Sequence, residues 1–199
     1  MAEARTMDPA TLTMQAVAER LGVDRKALNY HVSDRDGLLE LVALNVLHSE
    51  VGENEPPPDA DWRDATRHFA RTMRAAMVRT GALFEYVRVP VGGLSSLAPA
   101  ERLAETLMAA GFDDQEAARA LGFIAEFVFS SARDAIMIDR YGVHPQVTEI
   151  QEALATAPPE DYRTTRRLMA NQFQPGDAQL EFDLRIFIAG MDHLLSTKI

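Results

Sequence analysis

The stretch LTMQAVAERLGVDRKALNYHVSDRDGLLELV, residues 12–42, decides the fold of this chain. Its apolar residues recur at helical spacing, and Gly22 ends a first short helix over residues 13–21. Asp24 follows as a side chain that can cap a second helix. Ala18 is small enough to let the two helices cross closely. Two short helices joined at a glycine predict a helix-turn-helix.

The helix after Gly22 carries cationic and hydrogen-bonding side chains near its N-terminus, namely Arg25, Lys26, Asn29 and Tyr30. Arginine and lysine reach phosphates or guanine edges, asparagine can bond adenine, and tyrosine hydroxyls commonly contact phosphate. A chain with a formal net charge of -10 has no general reason to gather such groups there. We interpret this helix as a DNA-contacting one. A plain solvated helix is the alternative, because helical hairpins with a glycine are common.

Composition excludes several classes of protein. The chain has 199 residues, 47% of them hydrophobic, which is enough for a real core. It has no cysteine, so disulfides, thiolate metal sites and cysteine nucleophiles are excluded. No apolar run approaches the roughly 18 residues that a membrane helix needs, and the N-terminus lacks the apolar core of a secretion signal. We therefore expect a globular cytoplasmic protein with no membrane partner.

The rest of the sequence predicts helices and almost no alternating pattern, so we expect an all-α protein. An amphipathic helix over residues 62–77 has an apolar stripe on one side and arginines, including Arg74, on the other. A long helix over residues 114–141 is apolar on more than one face, which predicts burial on both sides. After it we expect a mobile stretch around three prolines, and then a last helix over residues 178–195.

Residues 12–42 also resemble the tetracycline-repressor (TetR) family of bacterial regulators. The features that carry the resemblance are LTM, the turn of Ala18, Gly22 and Val23, the AL-x-Y-HV motif of the second helix, and DRDGLL at the start of the next helix. Beyond residue 42 the likeness is architectural. It rests on the helical order, the long two-faced helix and the final LEFDLRIFIAGMDHLL.

The resemblance implies a fold, a function and partners. A helix-turn-helix DNA-binding domain would occupy residues 1–40, and a helical ligand-binding and dimerisation domain residues 41–199. The protein would be a ligand-responsive regulator, acting as a repressor, that binds a double-stranded DNA operator as a homodimer. The DNA-facing set that the resemblance implies is Thr13, Gln15, Arg25, Lys26, Ala27, Asn29, Tyr30, His31 and Arg35.

The segment ahead of LTM departs from the family pattern. Family members place a full first helix there, whereas this sequence has eleven residues, interrupted by Asp8 and Pro9. We therefore expect a shortened first helix. In the DNA-binding domain of residues 1–40, which we call the head, core residues such as Val17 would then lack the packing partner that a full first helix provides. Residues 13–40 also hold four basic against five acidic groups. These departures leave open an alternative function, a small-molecule binding or sequestering protein that has lost DNA binding.

Methionines and aromatic residues at helical spacing are typical of a packed core, but they also suit an adaptable ligand cavity. A cavity of this kind predicts an apolar or aromatic effector with a few polar groups. Polar side chains on neighbouring segments can add hydrogen-bonding groups to such a cavity. An exposed strip or a salt bridge between subunits explains the polar residues of the long helix about as well. The candidate ligand-binding residues are His68, Met73, Met77, Phe84, Arg88, Phe123, Phe127, Ser130 and Arg133.

The apolar surface of the final helix is broader than packing against its own chain requires. Its breadth predicts a partner subunit and a four-helix interface across a two-fold axis. The candidate interface residues are Phe129, Ile136, Leu184, Phe187, Ile188, Met191 and Leu195.

Catalytic and metal-binding motifs are missing from the sequence. It has no Walker loop, no G-x-S-x-G and no H-E-x-x-H, and its five histidines have no metal-ligand spacing. Asp34, Asp36 and Gly37 superficially fit a calcium loop, but Leu38 and Leu39 follow where further ligands are needed. We therefore expect no enzyme, no cofactor and no metal site.

Overall fold

A computed structural model of the protein describes residues 13–21, 24, 26, 34–51, 56–57, 59–87, 97–170 and 176–198. Regular structure in these residues consists of eight α-helices and one 3-10 helix, without a strand, so the predicted all-α fold is confirmed. The bounds are α1 Met14–Leu21, α2 Arg35–Val51, α3 Trp62–Thr80, the 3-10 helix Gly81–Tyr86, α4 Ala98–Ala109, α5 Asp114–Tyr141, α6 Pro145–Thr156, α7 Arg163–Ala170 and α8 Asp177–Ser196.

The chain divides into two compact units, residues 1–125 and 126–199, so that α5 contributes to both. The predicted domain boundary between residues 40 and 41 lies inside the uninterrupted helix α2. That boundary stays a prediction. The predicted shortened first helix lies outside the described residues.

Side chains cap the helices at the beginning of the first unit, and Asp24, the cap that the sequence predicted, is one of them. The Thr13 hydroxyl accepts a hydrogen bond from the Ala16 N–H at 3.1 Å, at the start of α1. Asp24 accepts from the Lys26 N–H at 2.7 Å, which is the capping contact expected of it. A carboxylate oxygen of Asp34 accepts from the Gly37 N–H at 2.8 Å and caps α2.

The core of the head joins α1, α2 and the 3-10 helix. Met14 and Val17 of α1 are buried in one cluster with Leu38, Leu39 and other residues of α2, and Leu83 of the 3-10 helix completes it. The expectation that Val17 lacks a packing partner is wrong, since only 3% of this residue is exposed. Leu83 was not foreseen as a head residue, because a contact between segments 60 residues apart leaves no local pattern.

Helix α3 is the centre of the first unit, since α2, α4 and the 3-10 helix all contact it. Arg74 is therefore buried, and its predicted place on a solvated side is wrong. The buried hydroxyls of Thr66 and Thr80 donate to carbonyls of their own helix, at 2.7 Å to Trp62 and 2.6 Å to Met77. A polar residue can thus lie inside without an unsatisfied group.

The turn between α4 and α5 fixes one end of α3. Trp62 lies edge-on to Phe112, with ring centroids 5.1 Å apart at 83°. Asp113 and Glu116 exchange reciprocal backbone-to-side-chain hydrogen bonds of 2.9 Å, which form a capping box at the start of α5. Asp113 is therefore the residue that caps this helix.

The second unit contains two helices where the sequence predicted a mobile stretch. Pro145 lies in the first turn of α6, where its missing N–H costs nothing. Pro158 follows the end of that helix, and α7 begins only at Arg163. The prediction of a stretch without helices is therefore wrong, because these prolines bound the helices instead of interrupting them.

Helix α5 is buried along one stripe only. Ala120, Ile124 and Val128 are buried, whereas Phe123 and Phe129, on either side of this stripe, are exposed. The predicted burial on both sides is therefore wrong for the single chain.

Candidate ligand pocket and DNA-contacting surface

A pocket lies in the first unit between the end of α2, one face of α3 and the start of α4. Its volume is about 420 Å3, a figure that includes the space at its open mouth. Apolar side chains form most of its wall, as is usual for small-molecule sites. The lining residues are Val51, Pro56, Ala65, His68, Phe69, Thr72, Met73, Pro99, Arg102, Leu103 and Thr106.

Helical periodicity explains which side chains reach the pocket. Those from α3 recur every three or four residues, from Ala65 through His68 to Thr72. The α4 residues do the same, from Pro99 through Arg102 to Thr106. Each set is one face of one helix, and the two faces oppose each other across the cavity.

Four polar side chains line the pocket, and none of them is a carboxylate. His68 Nε2 and Thr72 Oγ1 are 3.5 Å apart. The Thr106 hydroxyl donates to the Arg102 carbonyl of its own helix at 2.8 Å. Arg102, a half-buried residue, supplies a cation to the described lining. The pocket is thus an apolar cavity with a positive group and a few hydrogen-bonding groups.

The pocket contains two of the nine predicted ligand residues, His68 and Met73. Met77 is half-buried outside the lining, and Phe84 lies in the interior, so these two predictions are not supported by the pocket. Arg88 lies outside the described residues.

The predicted ligand residues of α5 do not line this pocket either. Phe123, Ser130 and Arg133 are exposed, and Phe127 is half-buried in the second unit. Arg133 Nε lies 3.9 Å from Asp134 Oδ1. The exposed strip, which the sequence offered as the other interpretation of this polar line, agrees better with the exposure of these side chains.

Sequence reasoning missed most of the lining, including Thr72 and Arg102. The signal for them was present, because both have pocket neighbours three or four residues away on their own helix. What the sequence did not show was that α3 and α4 face each other with a gap between them.

Four of the predicted DNA-contacting residues are described, and all four are exposed: Thr13, Gln15, Lys26 and Arg35. Gln15 Nε2 donates to Glu19 Oε1 at 2.7 Å along the same helix. Exposure is what a DNA-contacting face requires, and their role stays a prediction. Arg25, Ala27, Asn29, Tyr30 and His31 lie outside the described residues.

Three predicted interface residues of α8 are buried within the single chain, namely Leu184, Ile188 and Met191. A side chain covered by its own chain has little surface left for a second copy, so we correct their assignment to the core of the protomer. Phe187, Leu195 and Ile136 are half-buried, and Phe129 of α5 is exposed.

The exposed apolar side chains of α8 lie on a different face, which we call the α8 stripe. It consists of Phe182, Ile186, Gly190 and Leu194, spaced four residues apart, with 57% of Ile186 exposed. Apart from the backbone of its own helix and its two neighbours in sequence, a Cβ placed on Gly190 would meet no atom of the described residues within 4 Å. The sequence predicted an apolar excess on this helix, and the exposed part of that excess lies on the α8 stripe, which contains none of the predicted interface residues.

The described residues hold no group of three or more side chains placed to bind a metal ion. Among the described helices, none has both the length and the apolar content needed to cross a bilayer.

The helical fold, the helix-turn-helix sequence at its head and a pocket in the helices behind it define the class of ligand-binding transcriptional regulators. A family model described as "Tetracyclin repressor-like, C-terminal domain" matches residues 55–195, which is more than half of the chain. The chain therefore belongs to the TetR family of transcriptional regulators.

Individual relatives agree with this assignment. The class A tetracycline repressor from transposon 1721 of Escherichia coli is 33% identical over 58% of this chain, and the match spans about half (54%) of that repressor's length. The class C tetracycline repressor of E. coli is 26% identical over 94% of this chain and 84% of that protein. A crystal structure of a possible TetR family regulator from Streptomyces coelicolor superimposes with a TM-score of 0.75 at 25% identity, covering 93% of this chain and 91% of that one.

Proposed function

We propose that this protein is a repressor that binds its operator as a homodimer and releases it when a small molecule fills the pocket of the first unit. The observation that carries the proposal is the course of α2. Leu38 and Leu39, near its beginning, lie in the core of the head, and Val51, at its end, lines the pocket. One helix of about 25 Å thus connects the two sites.

The physical mechanism is a difference in affinity between two conformations. A ligand that contacts Val51 and α3 favours the arrangement of α2 that leaves most room for it. If that arrangement holds the heads at a separation that does not fit the DNA, ligand binding lowers DNA affinity by the same coupling free energy. The relatives support such a role, since two of them are named tetracycline repressors.

A homodimer belongs to the proposal because a dimer places two helix-turn-helix units in successive major grooves, about 34 Å apart. The α8 stripe supports it, since its apolar side chains and Gly190 offer a surface that a second helix can approach closely. A cytoplasmic location, where the chromosome is accessible, is also part of the proposal.

The test is a binding assay between the full chain and duplex DNA from the region upstream of its own gene. We expect saturable, sequence-dependent binding whose affinity falls steeply with salt. Arg35→Ala should weaken binding and lower the salt slope by about one, as expected for one lost phosphate contact. Arg119→Ala, on an exposed part of α5, is the matched control and should bind as the wild type does.

A second candidate function is a small-molecule binding or sequestering protein without DNA recognition. The observation that favours it is the charge balance of residues 13–40, four basic against five acidic. The same assay decides between the two. Absence of sequence-dependent binding in the wild type, with the pocket still able to bind ligands, would replace the repressor with the sequestering protein.

A further inference from the structure

Arg102 distinguishes the pocket from a plain apolar cavity. It lies on the face of α4 that lines the pocket, and its side chain is half-buried. No hydrogen bond or ion pair joins its guanidinium to any residue that the structure describes. The other polar lining residues that the structure describes are neutral hydroxyls and a histidine, and no Asp or Glu is among the described lining residues.

The cost of covering a guanidinium selects among ligands. In the open pocket, water can solvate the five N–H donors of Arg102. A neutral apolar ligand that fills the cavity would displace this water and leave the charge without a partner, which is strongly unfavourable. An anion with an apolar body would instead pair with the charge through short, bidentate hydrogen bonds.

The beginning of α4 adds a smaller preference for negatively charged ligands. The helix begins at Ala98, Pro99 in its first turn lines the pocket, and no side chain caps it at Leu97. Its N-terminal dipole therefore favours negative charge nearby. Glu101, in the first turn, offsets part of this, but it is exposed and does not line the pocket.

We infer that the effector is an organic anion, with a carboxylate or similar acidic group held by Arg102 and an apolar body between Phe69, Met73 and Leu103. The word effector rests on the proposed function, whereas the anion site itself does not. His68 and Thr72 line the same cavity and add neutral hydrogen-bonding groups to it.

A pair of fluorescent probes with one shared body tests this inference. The anionic probe is 1-anilinonaphthalene-8-sulfonate, and the neutral probe is N-phenyl-1-naphthylamine, which lacks the sulfonate. We expect the full chain to bind the anion more tightly, at one site per chain where each probe displaces the other. In Arg102→Gln the affinity for the anion should fall about tenfold while that for the neutral probe stays the same or rises.

Two control variants separate charge at this position from charge in general. Arg102→Lys keeps the cation without the planar fork and should retain part of the preference for the anion. Arg119→Gln removes an exposed cation outside the pocket and should change neither affinity. Unchanged emission of Trp62, the single tryptophan, would show that each variant is folded.

The outcomes are decisive in both directions. Equal affinity of the wild type for the two probes, no binding of the anion, or anion binding that is the same in Arg102→Gln would overturn the inference. Operator binding measured on the same samples separates it from the proposed function. If the protein does not bind DNA but binds the anion in an Arg102-dependent way, the proposed repressor function is wrong and the anion site is supported.

Discussion

Asp61 sets where the central helix α3 begins. Its Oδ1 accepts hydrogen bonds from the N–H groups of Arg63 and Asp64, both at 2.9 Å. The hydrogen bond from the Asp64 N–H is the main cause that holds the pKa of the Asp61 carboxyl below its ordinary value; burial opposes it, and the hydrogen bonds and charge of Arg63 lower the pKa further. The ionised form is therefore the one that stabilises the folded chain.

We predict that Asp61→Ala lowers the free energy of unfolding by about 1 kcal/mol at pH 7, because the first turn of α3 loses its cap. The folded-state pKa is depressed, so the stabilisation is complete above the ordinary carboxyl range, about pH 4, and is lost as the pH falls through the folded-state pKa. Urea unfolding at fixed protein concentration over a pH series measures the difference. Asp61→Asn still caps the helix but does not ionise. It should remove most of the pH dependence that Asp61 itself contributes to stability, and it should cost little stability at pH 7.

The contact between Trp62 and Phe112 joins the start of α3 to the turn before α5, and both residues are buried. We predict that Phe112→Ala lowers the free energy of unfolding by about 3 to 5 kcal/mol, since it opens a cavity against the indole. Trp62 emission should shift to the red as water gains access. Leu168→Ala, at an exposed position of α7, is the control; an equal loss there would contradict the packing argument.

At the scale of elements, α6 and α7 are held together in an unusual way, because neither helix has a buried residue. Hydrogen bonds from Arg166 of α7 connect the two helices instead of a buried core. Its Nη2 donates to the carbonyls of Leu154 at 2.6 Å, Ala157 at 3.1 Å and Pro158 at 3.2 Å, and its Nε donates to Asp161 at 3.0 Å. One guanidinium thus satisfies the carbonyls at the end of α6 and in the loop after it.

We predict that Arg166→Lys increases the rate of amide hydrogen exchange in residues 154–162 by about tenfold or more, because lysine cannot reproduce the planar fork. Global stability should change little, since no core is disturbed. Hydrogen exchange read by mass spectrometry measures both. Arg167→Lys changes the exposed neighbour and should have no effect; protection in the loop that survives Arg166→Lys would show that other contacts hold it.

The pocket is also decided at the level of elements. Helix α3 is covered by helices along parts of its surface, while Phe69 and Met73 are half-buried beside the cavity. An apolar stripe of this kind has the same pattern whether a neighbouring helix or a ligand covers it. The gap exists because the side chains of α3 and α4 do not meet across it.

At the scale of the whole molecule, the α8 stripe makes association testable. Gly190 costs a helix interior about 1 kcal/mol relative to alanine, and no side chain that the structure describes lies in the space beside it. If a second copy approaches closely at this position, the missing side chain of Gly190 allows the two helices to come into contact. The flanking side chains of Phe182, Ile186 and Leu194 would then leave water on association.

We predict that the wild type is a dimer and that Ile186→Glu raises the dimer dissociation constant by at least about a hundredfold, because a carboxylate buried without a partner is strongly disfavoured. Sedimentation equilibrium measures the mass directly. Leu168→Glu introduces the same charge on exposed α7 and should leave the dimer intact. A wild type that sediments as single subunits would rule out the interface.

The sequence by itself determined the all-α class, the capping residues Asp24 and Asp34 and the family, because apolar periodicity, helix caps and short motifs are local properties of the chain. It did not determine which side of an amphipathic helix is covered. Arg74 was predicted in solvent and is buried, and Ile188 was predicted at an interface and lies in the core. The tertiary structure decided these points, and it alone brought Arg102 to the cavity, because burial depends on what a distant segment places opposite a residue.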